Sequence, residues 1–373
     1  MSSLKSRIPQ FVKSIVYSEH LAEDPTKVLK LHKYPLSSIF QENKNILLKS
    51  IAFPVNPSDI NQLQGVYPSK PEKTLKYNTD TPSAIAGNEG LFEIVSLPSS
   101  VPHDQFKVGD WVIPLQANFG TWSTYRACDL PSELIKMNGL DKFSAATFSV
   151  NSCTAYLLVN RYIKDWNPGQ DWLITNAGTS QVSKIVTQIC SSLGIKTLSV
   201  IRDRDNFDEV ANELKTKYGA TEVISESQNN DKAFGKEKLP QLLKNGKIRL
   251  ALNSVGGSSA TAIARKLPKD GIMVTYGGMS MKPVSLPTSL LIFKNIQCLG
   301  FWITQITKEH PEEKQGCVKH LLPMYQKGEI ISPKDDLRLM EWDVDNMKDE
   351  QVLQMFKDAI QIKGKKNFIS LKH

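Results

Sequence analysis

Residues 171–204 constrain the fold of this chain more than any other stretch. An apolar run at 172–174 predicts a buried strand. A turn follows it, and apolar residues then recur at helical spacing: Val182, Ile185, Val186 and Ile189. The apolar run 196–201 predicts a second strand. Strand, helix and strand in this order predict a βαβ unit, whose helix N-terminus offers backbone N–H groups to a pyrophosphate.

Two arginines after the second strand indicate which dinucleotide such a unit binds. In the turn itself only Gly178 remains of the usual glycine set, because Ala177 and Ser183 stand near the expected glycine positions. A NAD-binding unit carries an acidic residue at the end of the second strand, whereas this chain reads Arg202-Asp203-Arg204. Two guanidinium groups favour a 2′-phosphate, and hence NADPH. The alternative interpretation is a solvated charged turn that binds no ligand.

The chain after residue 204 continues to alternate between strand and helix patterns. Strands are predicted at 222–225, 249–254, 272–276 and 296–303, and helices at 206–217 and 259–266. This alternation predicts an α/β fold with a doubly wound parallel sheet of the Rossmann type. Ligands bind outside the carboxyl ends of such strands, so we expect the turns at 253–257, 276–279 and 302–304 to form the cofactor wall.

The first part of the chain has a different pattern. Short strands broken by Pro, Gly and Asn are predicted at 11–17, 46–53, 90–96, 111–114 and 123–128, with turns at 56–58 and 109–110. Residues 144–163 then show helical periodicity and lead into the nucleotide unit. We therefore predict a β-rich, GroES-like catalytic domain over 1–145 and a dinucleotide-binding domain over 146–309. Residues 310–373 are predicted to be helical and charged and to return to the first domain.

Composition limits the classes of function. The 373 residues include five scattered cysteines and no C-x-x-C pair, which favours a reducing compartment over a disulfide framework. No apolar run approaches the roughly 20 residues of a membrane span. The net charge of +8 suits a polyanionic ligand such as a nucleotide phosphate, a coenzyme A or acyl-carrier thioester, or nucleic acid. The alternative, which the charge alone favours, is a basic protein without such a ligand. Aromatic and basic residues do not interleave as in single-strand binders, which disfavours nucleic acid.

The N-terminus has the features of a mitochondrial presequence. Lys5, Arg7 and Lys13 precede the first acidic residue, Glu19, and apolar residues fall at amphipathic-helix spacing. Because 11–17 also reads as the first strand of the folded domain, we predict a short presequence that ends before about residue 10.

The predicted catalytic domain contains few side chains that could bind a metal or transfer a proton. His20, His32, His103 and Cys128 lack the spacing of zinc ligands, so no metal is predicted. Tyr67 lies between Gly65 and two prolines, at 68 and 71. A phenol has an ordinary pKa near 10 and can donate a proton to a developing enolate. The alternative is that Tyr67 is an ordinary loop aromatic residue.

An ordered set of short motifs resembles the mitochondrial trans-2-enoyl-thioester reductases of fungi, which are zinc-free members of the medium-chain dehydrogenase/reductase superfamily. The resemblance runs from about Phe11 to the C-terminus. The motifs that carry it are 55–61, 64–68, 87–90, 109–110, 120–122, 176–180, 202–204, 276–279 and 300–302.

The resemblance implies NADPH-dependent reduction of the 2,3 double bond of an acyl-carrier or coenzyme A thioester in the mitochondrial matrix, as a step of fatty-acid synthesis. It implies that Tyr67 donates a proton to the α carbon while NADPH delivers hydride to the β carbon. It also implies a homodimer, formed by nucleotide-domain sheets joined edge to edge.

The cofactor-binding residues are likewise implied by the resemblance. Asn151 is expected beside the nicotinamide ribose, and Lys366 is expected to reach the cofactor region. Arg202 and Arg204, with Asp203 between them, are expected to hold the 2′-phosphate. The pyrophosphate is expected to contact Thr179, Ser180, Gln181 and Val182. The nicotinamide side is expected to be lined by Tyr276, Gly277, Gly278, Met279, Phe301, Trp302 and Ile303.

One departure and two alternatives remain at this stage. Gln181 and Ser183 stand where Ala and Gly would let helix and strand approach more closely, so looser packing and weaker cofactor binding are expected there. A quinone oxidoreductase of the same superfamily shares the fold, the lack of zinc and the NADPH preference. A reductase-like protein that acts as a nucleic-acid or regulatory binder is the other alternative. The sequence leaves open the acyl chain length and the choice between carrier protein and coenzyme A.

Overall fold

The computed structural model of the protein describes residues 8–373, which fold into two compact units. The first unit contains the chain up to Val150, Thr304–Gly316 and Ser332–His373, and the second contains Asn151–Ile303 and Cys317–Ile331. The stretch 310–373 is thus shared between the units, because Cys317–Ile331 belongs to the second.

The helices and strands are numbered along the chain. The strands are β1 (Phe11–Tyr17), β2 (Lys30–Pro35), β3 (Ile46–Pro54), β4 (Ala84–Ile85), β5 (Leu91–Ser96), β6 (Trp111–Pro114), β7 (Tyr125–Cys128), β8 (Leu134–Lys136), β9 (Asp171–Thr175), β10 (Lys196–Ile201), β11 (Glu222–Ser225), β12 (Lys247–Asn253), β13 (Ile272–Thr275), β14 (Gln297–Gly300), β15 (Leu337–Asp343) and β16 (Lys366–Lys372). The α-helices are α1 (Pro57–Gln64), α2 (Lys142–Ala146), α3 (Cys153–Asn160), α4 (Gln181–Ser192), α5 (Phe207–Thr216), α6 (Glu226–Asn230), α7 (Leu239–Leu243), α8 (Gly257–Arg265), α9 (Thr288–Ile292), α10 (Ile303–Glu309), α11 (Pro311–Gln326) and α12 (Asp349–Gln361).

The second unit is built on a six-stranded parallel sheet. Its strand order is β11-β10-β9-β12-β13-β14, so the order reverses between β9 and β12. This arrangement confirms the predicted doubly wound Rossmann fold, and it places the ligand crevice at the carboxyl ends of β9 and β12.

The βαβ unit predicted from the sequence forms as expected. All five residues of β9 are buried, as a strand covered on both faces requires. Ser180 caps α4, whose apolar residues Ile185, Val186 and Ile189 are buried. Gly194 follows the helix with φ 69°, a left-handed conformation that suits glycine, and β10 has the predicted bounds.

The first unit contains two β-sheets and an aromatic core. The smaller sheet has the order β2-β1-β4, and the larger one runs β15-β16-β3-β5-β6-β8 with β7 paired to β3. The ring of Phe356 on α12 lies 5.2 Å from that of Trp122 and 5.6 Å from that of Trp342. The predicted strand at 11–17 is confirmed as β1, and the predicted β-rich character of this part of the chain is confirmed as well.

Three local expectations were wrong. The predicted turn at 56–58 is the start of α1, because Asn56 and Asp59 form a reciprocal capping box around Pro57. The C-terminal segment is not only helical, since it contributes the parallel strands β15 and β16. The strand predicted at 296–303 ends at Gly300, and α10 begins at Ile303.

The segment predicted to be a presequence lies mostly outside the described residues, because 1–7 precede them. Within residues 8–373, none of the helices combines the length and the apolar character that a membrane span requires.

Candidate active site

A tight turn connects β9 to α4 at the point where the sheet order reverses. Ala177 has φ 53°, and a Cβ atom on Gly178 would lie only 3.0 Å from side-chain atoms of Ser199 and Ile201 on β10. Glycine therefore suits position 178, where the backbone passes close to the neighbouring strand and a side chain would displace its neighbours. The Ser180 hydroxyl accepts a hydrogen bond from Ser183 N at 3.2 Å and caps the helix. The first turn of α4 keeps N–H groups that have no intrahelical partner and suit an anion.

Asparagine side chains tie the two central strands together beside this turn. Asn176 Nδ2 donates to Asn253 Oδ1 at 2.8 Å, and Asn176 Oδ1 accepts from Ser254 N at 2.8 Å. Asn253 Oδ1 also accepts from Gly256 N at 3.0 Å. Both asparagine side chains are fully buried. The carboxyl ends of β9 and β12 are thus fixed by neutral hydrogen bonds.

Four predicted pyrophosphate contacts lie at the start of α4. Thr179, Ser180, Gln181 and Val182 are all partly exposed. The buried Asn151 donates from Nδ2 to Gln181 Oε1 at 2.7 Å, so the predicted ribose and pyrophosphate residues are brought together. Ser183 is fully buried, and its hydroxyl lies 3.0 Å from Thr175 Oγ1. The serine side chain at 183, where glycine is the usual residue, is therefore packed and hydrogen-bonded within the unit.

The predicted 2′-phosphate residues lie on an exposed turn after β10. Asp203 Oδ2 accepts from Ser227 N at 3.1 Å, and hydrogen bonds from Ser225 and Ser227 lower the pKa of the Asp203 carboxyl. Arg204 Nε donates to Arg202 O at 3.3 Å. Across residues 8–373 no carboxylate lies at ion-pair distance from either guanidinium. Asp203 thus anchors the turn, and both arginines remain available to an anion.

The predicted nicotinamide wall follows β13 and β14. Tyr276 N donates to Asn253 O at 2.9 Å, and the Tyr276 hydroxyl lies 3.4 Å from Ser183 Oγ. Met279 is 62% exposed, and Gly277 and Gly278 precede it in the same turn. Phe301 N donates to Thr275 O at 2.9 Å, which fixes the start of the segment that continues through Trp302 to Ile303. The N-terminus of α4, the glycine turn and the two arginines fit a dinucleotide with a 2′-phosphate.

Tyr67 lies in the first unit, just after the end of α1. Gly65 ends the helix with φ 82°, and Tyr67 N donates to Asn61 O at 3.1 Å. The half-buried phenol has its oxygen 3.1 Å from Thr304 Oγ1 at the start of α10. The sequence interpretation placed Thr304 in the cofactor wall but did not foresee its contact with Tyr67.

Gln62 and Asn118 hold the loop that carries Tyr67. Gln62 Nε2 donates to Ser69 O at 2.8 Å and to Asn118 Oδ1 at 2.6 Å. Asn118 Nδ2 in turn donates to Ser69 Oγ at 2.8 Å. These residues were missed, because nothing in the local sequence indicates that two side chains 56 positions apart converge on one loop.

A buried charged cluster lies behind α1. Lys366 Nζ donates to Asn56 Oδ1 at 2.6 Å, and Asn56 Nδ2 donates to Glu89 Oε2 at 2.8 Å. Asp59 accepts from Asn56 N at 2.8 Å and from Asn88 Nδ2 at 2.7 Å. Burial raises the pKa of Asp59 to about 6 and also raises the pKa of Glu89, whereas it lowers the pKa of Lys366. Lys366, predicted to reach the cofactor region, contacts this cluster.

The residues considered as zinc ligands have other contacts. His20 Nδ1 lies 2.8 Å from Gln62 O, and His32 Nε2 lies 2.8 Å from Tyr77 O. The Cys128 thiol is hydrogen-bonded to Leu130 O at 3.2 Å. In the part of the chain that the structure describes, no three His, Cys, Asp or Glu side chains form a group that could hold a metal ion.

Known proteins similar in sequence carry two kinds of name. The chain is 59% identical over 372 residues to an enoyl-[acyl-carrier-protein] reductase, mitochondrial, of Candida glabrata, which covers 99% of this chain and 96% of that protein. The protein of the same name from Saccharomyces cerevisiae is 57% identical, covering 100% and 97%. An NADPH quinone oxidoreductase of Kluyveromyces marxianus is 59% identical, covering 98% and 95%. A comparison with models of protein families gave no match.

Solved structures of enoyl thioester reductases have the same fold. A complex of Etr1p with NADP and crotonyl-CoA superposes with a TM-score of 0.87 at 39% identity, covering 96% of this chain and 99% of that chain. The Etr1p/Etr2p heterodimer of Candida tropicalis, a mitochondrial 2-enoyl thioester reductase, has a TM-score of 0.86 at 40% identity with the same coverage.

Proposed function

Since the chain belongs to the mitochondrial enoyl-[acyl-carrier-protein] reductases, we propose that it reduces the 2,3 double bond of trans-2-enoyl thioesters with NADPH. The family and the fold are those that the motif resemblance predicted. The observation that carries the chemical proposal is the Tyr67 phenol, held 3.1 Å from Thr304 in a chain that also has the donor set for NADPH. The compartment is the mitochondrion, and we infer the matrix within it.

The second unit is proposed to bind the cofactor, which supplies a hydride when bound. Thr179, Ser180, Gln181 and Val182 would meet the pyrophosphate with the N-terminus of α4. Arg202 and Arg204 would hold the 2′-phosphate, because Asp203 is occupied by the start of α6. Asn151 would contact the nicotinamide ribose, in the orientation that its bond to Gln181 gives it. The turns at 276–279 and 301–303 would line the nicotinamide side.

Tyr67 is proposed to donate the proton. Hydride addition at the β carbon creates an enolate at the thioester oxygen, and the α carbon must then receive a proton. A phenol hydroxyl can act as a general acid, and Tyr67 would transfer its proton within the site. Its bond to Thr304 and the Gln62 and Asn118 contacts to Ser69 limit the motion of the loop, so that the donor is held in place before the reaction.

The thioester is proposed to be carried by acyl carrier protein or by coenzyme A. Both carriers are anionic, and the chain has a net charge of +8, which favours association with either. The carrier-protein name of the relatives supports the first, and the crotonyl-CoA bound to Etr1p supports the second.

A homodimer joined through the second unit's sheet is also proposed. β14 is the last strand of that sheet, and all four of its residues are exposed. Apolar side chains around it are exposed as well: Leu291, Ile292, Phe293 and Leu299, with Met279 and Met281 nearby in the sequence. An unpaired strand edge with exposed apolar neighbours favours pairing with another chain. A second copy and a related reductase chain are both candidates, because Etr1p pairs with Etr2p.

Light scattering after gel filtration measures this assembly directly. Phe293 is 76% exposed, and Phe293→Asp should shift a dimeric protein toward the monomer mass because a charge would be buried in the interface. Val108→Asp is the matched control, since Val108 is 60% exposed in the first unit and should leave the mass unchanged. A wild-type protein of monomer mass at all concentrations would contradict the homodimer.

Quinone reduction is the second candidate function. The Kluyveromyces marxianus relative bears that name at 59% identity, so the two activities must be separated by experiment. Quinone reduction has no evident need for a proton donor at Tyr67.

NADPH oxidation measured with a medium-length trans-2-enoyl-coenzyme A, and with a quinone in parallel, tests the proposal. The thioester should be turned over with NADPH, and NADH should be a poor substitute. Turnover of the quinone without turnover of the thioester would keep the fold and the cofactor but overturn the proposed substrate. If the protein turned over neither the thioester nor the quinone, that result would favour a binding role.

A further inference from the structure

Arg126 on β7 is a cation without an acidic partner. Its guanidinium carbon lies 5.8 Å from the centre of the Tyr77 ring and 5.4 Å from that of the Phe119 ring. Nη2 donates to Phe119 O at 2.8 Å. Nε is buried and has no hydrogen-bond partner. In the described part of the chain no carboxylate reaches ion-pair distance from this guanidinium, so its partners are neutral groups: aromatic faces, the Phe119 carbonyl oxygen and the side chains of Tyr34 and Tyr77, to which it is hydrogen-bonded.

A cavity of about 240 Å³ lies beside this guanidinium, within the first unit. Its polar lining includes Arg126, Lys76 and Asn118, and Phe119 and Ile85 supply apolar wall. One carboxylate, that of Glu72, also lines it. Two cations therefore face one anion around a space smaller than the 300–1,000 Å³ that is typical of drug-sized ligand sites.

We propose that this cavity binds a small oxyanion, either a carboxylate on a short apolar group or a phosphate. A guanidinium presents N–H groups in a planar fork that matches two oxygens of a carboxylate or phosphate. Tyr77 and Phe119 hold that fork by stacking on it, which reduces the loss of side-chain freedom on binding. Lys76, which is exposed, adds a second charge without a fixed geometry.

The residues that line the cavity determine which oxyanion it would accept. The apolar wall provided by Ile85 and Phe119 suits a short hydrocarbon group attached to the oxyanion. The carboxylate of Glu72 repels a bound anion, so affinity is set by the excess of positive over negative groups in the cavity.

The cavity also shares a residue with the loop that carries Tyr67. Asn118 lines the cavity and donates to Ser69 Oγ at 2.8 Å. The site therefore adjoins that loop, yet its binding can be measured without substrate, cofactor or turnover, so its test is independent of the proposed reaction.

Isothermal titration of the full chain with butyrate and with inorganic phosphate, at constant ionic strength, tests the site. We expect saturable binding of at least one probe with one site per chain. Arg126→Gln should weaken it by at least about tenfold, because a charge-assisted hydrogen bond is lost. Butyrate binding alone would identify a carboxylate site, and phosphate binding alone would identify a phosphate site.

The charges of the lining give a second test with effects of opposite sign. Lys76→Gln should weaken binding by about two- to fivefold, and Glu72→Gln should strengthen it by a similar factor. Both side chains are exposed, so these variants remain informative if Arg126→Gln does not fold. Lys44→Gln removes an exposed lysine that does not line the cavity and should leave binding unchanged.

Absence of saturable binding of both probes to the wild-type protein would overturn the proposal. Wild-type affinity in Arg126→Gln would overturn it as well, as would weaker binding in Glu72→Gln or an effect of Lys44→Gln equal to that of Lys76→Gln.

Discussion

The two units fix their sites with different kinds of polar network. In the second unit Asn176 and Asn253 connect the ends of two neighbouring strands through neutral hydrogen bonds. In the first unit the network behind α1 contains charges, and Lys366 reaches Asn56 from 310 positions along the chain. A neutral network keeps its strength across pH, whereas buried charges bring desolvation costs that depend on protonation.

This difference indicates where each unit is sensitive to change. The ends of β9 and β12 in the second unit are joined through backbone and amide groups, so the loss of one contact leaves the others in place. The charged cluster is interdependent, because Lys366 stabilises the ionised forms of Glu89 and Asp59, and the carboxylates stabilise the protonated lysine. Removing one member leaves an uncompensated charge in a buried site.

The largest expected effect is a loss of turnover on substitution of Tyr67 in the first unit, with NADPH binding by the second unit retained. Tyr67→Phe removes the proposed proton donor while keeping the ring, and we expect turnover to fall by about 10²–10⁴-fold. NADPH binding should remain nearly unchanged. Steady-state kinetics and cofactor titration by fluorescence check the two parts.

Thr304→Val is the graded control for that variant, because it keeps the phenol and removes its hydrogen-bond partner. A loss of about two- to tenfold is expected, in line with one hydrogen bond. Normal turnover in Tyr67→Phe would remove Tyr67 from the role of proton donor.

Lys366→Met tests the interdependence of the charged cluster. Methionine preserves the length and aliphatic character of the lysine stem but removes the charge of Lys366 beside Glu89 and Asp59. The free energy of unfolding should therefore fall by about 3 kcal/mol. Urea denaturation of the full chain measures this change. Lys363→Met, at an exposed lysine three residues earlier, should cost little. Equal small effects of both substitutions would mean that the cluster is not interdependent.

The Arg202→Ala, Arg204→Ala double variant tests the selectivity of the second unit. We expect it to weaken NADPH binding by about ten- to a hundredfold, because charge-assisted hydrogen bonds to the 2′-phosphate are lost. NADH lacks that phosphate and should bind as before. If both cofactors lose affinity equally, the 2′-phosphate assignment fails.

The smallest expected effect is a pH dependence that arises in the first unit. Burial raises the pKa of Asp59 from 3.8 to about 6, so the folded protein binds more protons than the unfolded chain between these pH values. The contribution of protonated Asp59 to stability is therefore complete below a pH of 3.8 and is lost as the pH rises through 6. We expect a loss of at most about 3 kcal/mol, spread over this pH range.

Asp59→Asn isolates this dependence, because the carboxamide has similar shape and does not titrate. The free energy of unfolding, measured with urea, should fall for the wild type relative to the variant as the pH rises from about 4 to about 7. Parallel curves would show that Asp59 does not titrate in this range. Glu89 and Lys366 face the same cluster and remain in both proteins.

The sequence allowed most of the second unit to be predicted. Its βαβ pattern depends on neighbouring residues, and the bounds of β10 and β11 were predicted correctly. Ser180 as a cap and Gly178 at the close approach also follow from local rules. Buried strands and tight turns of this kind are predictable because their apolar runs and glycines lie within the element itself.

The first unit was less predictable, for a physical reason. β15 and β16 lie parallel to one another within a larger sheet, and burial does not alternate along them. The apolar Leu339 is exposed, whereas Asn367, Phe368 and Ile369 are buried in succession. The contacts of Tyr67 with Thr304, and of Lys366 with Asn56, join residues 237 and 310 positions apart. No local pattern indicates such contacts. The capping box of Asn56 and Asp59 was the one local signal for α1, and it was read as a turn.

The central claim is that hydride reaches the β carbon from the cofactor and that a proton reaches the α carbon from Tyr67. Reduction of a trans-2-enoyl thioester with cofactor deuterated at the transferred position, and separately with unlabelled NADPH in deuterated water, tests the positions directly. We predict cofactor deuterium only at the β carbon and solvent deuterium only at the α carbon, by mass spectrometry and NMR of the product. Cofactor deuterium at the α carbon, or solvent deuterium at the β carbon, would contradict the account.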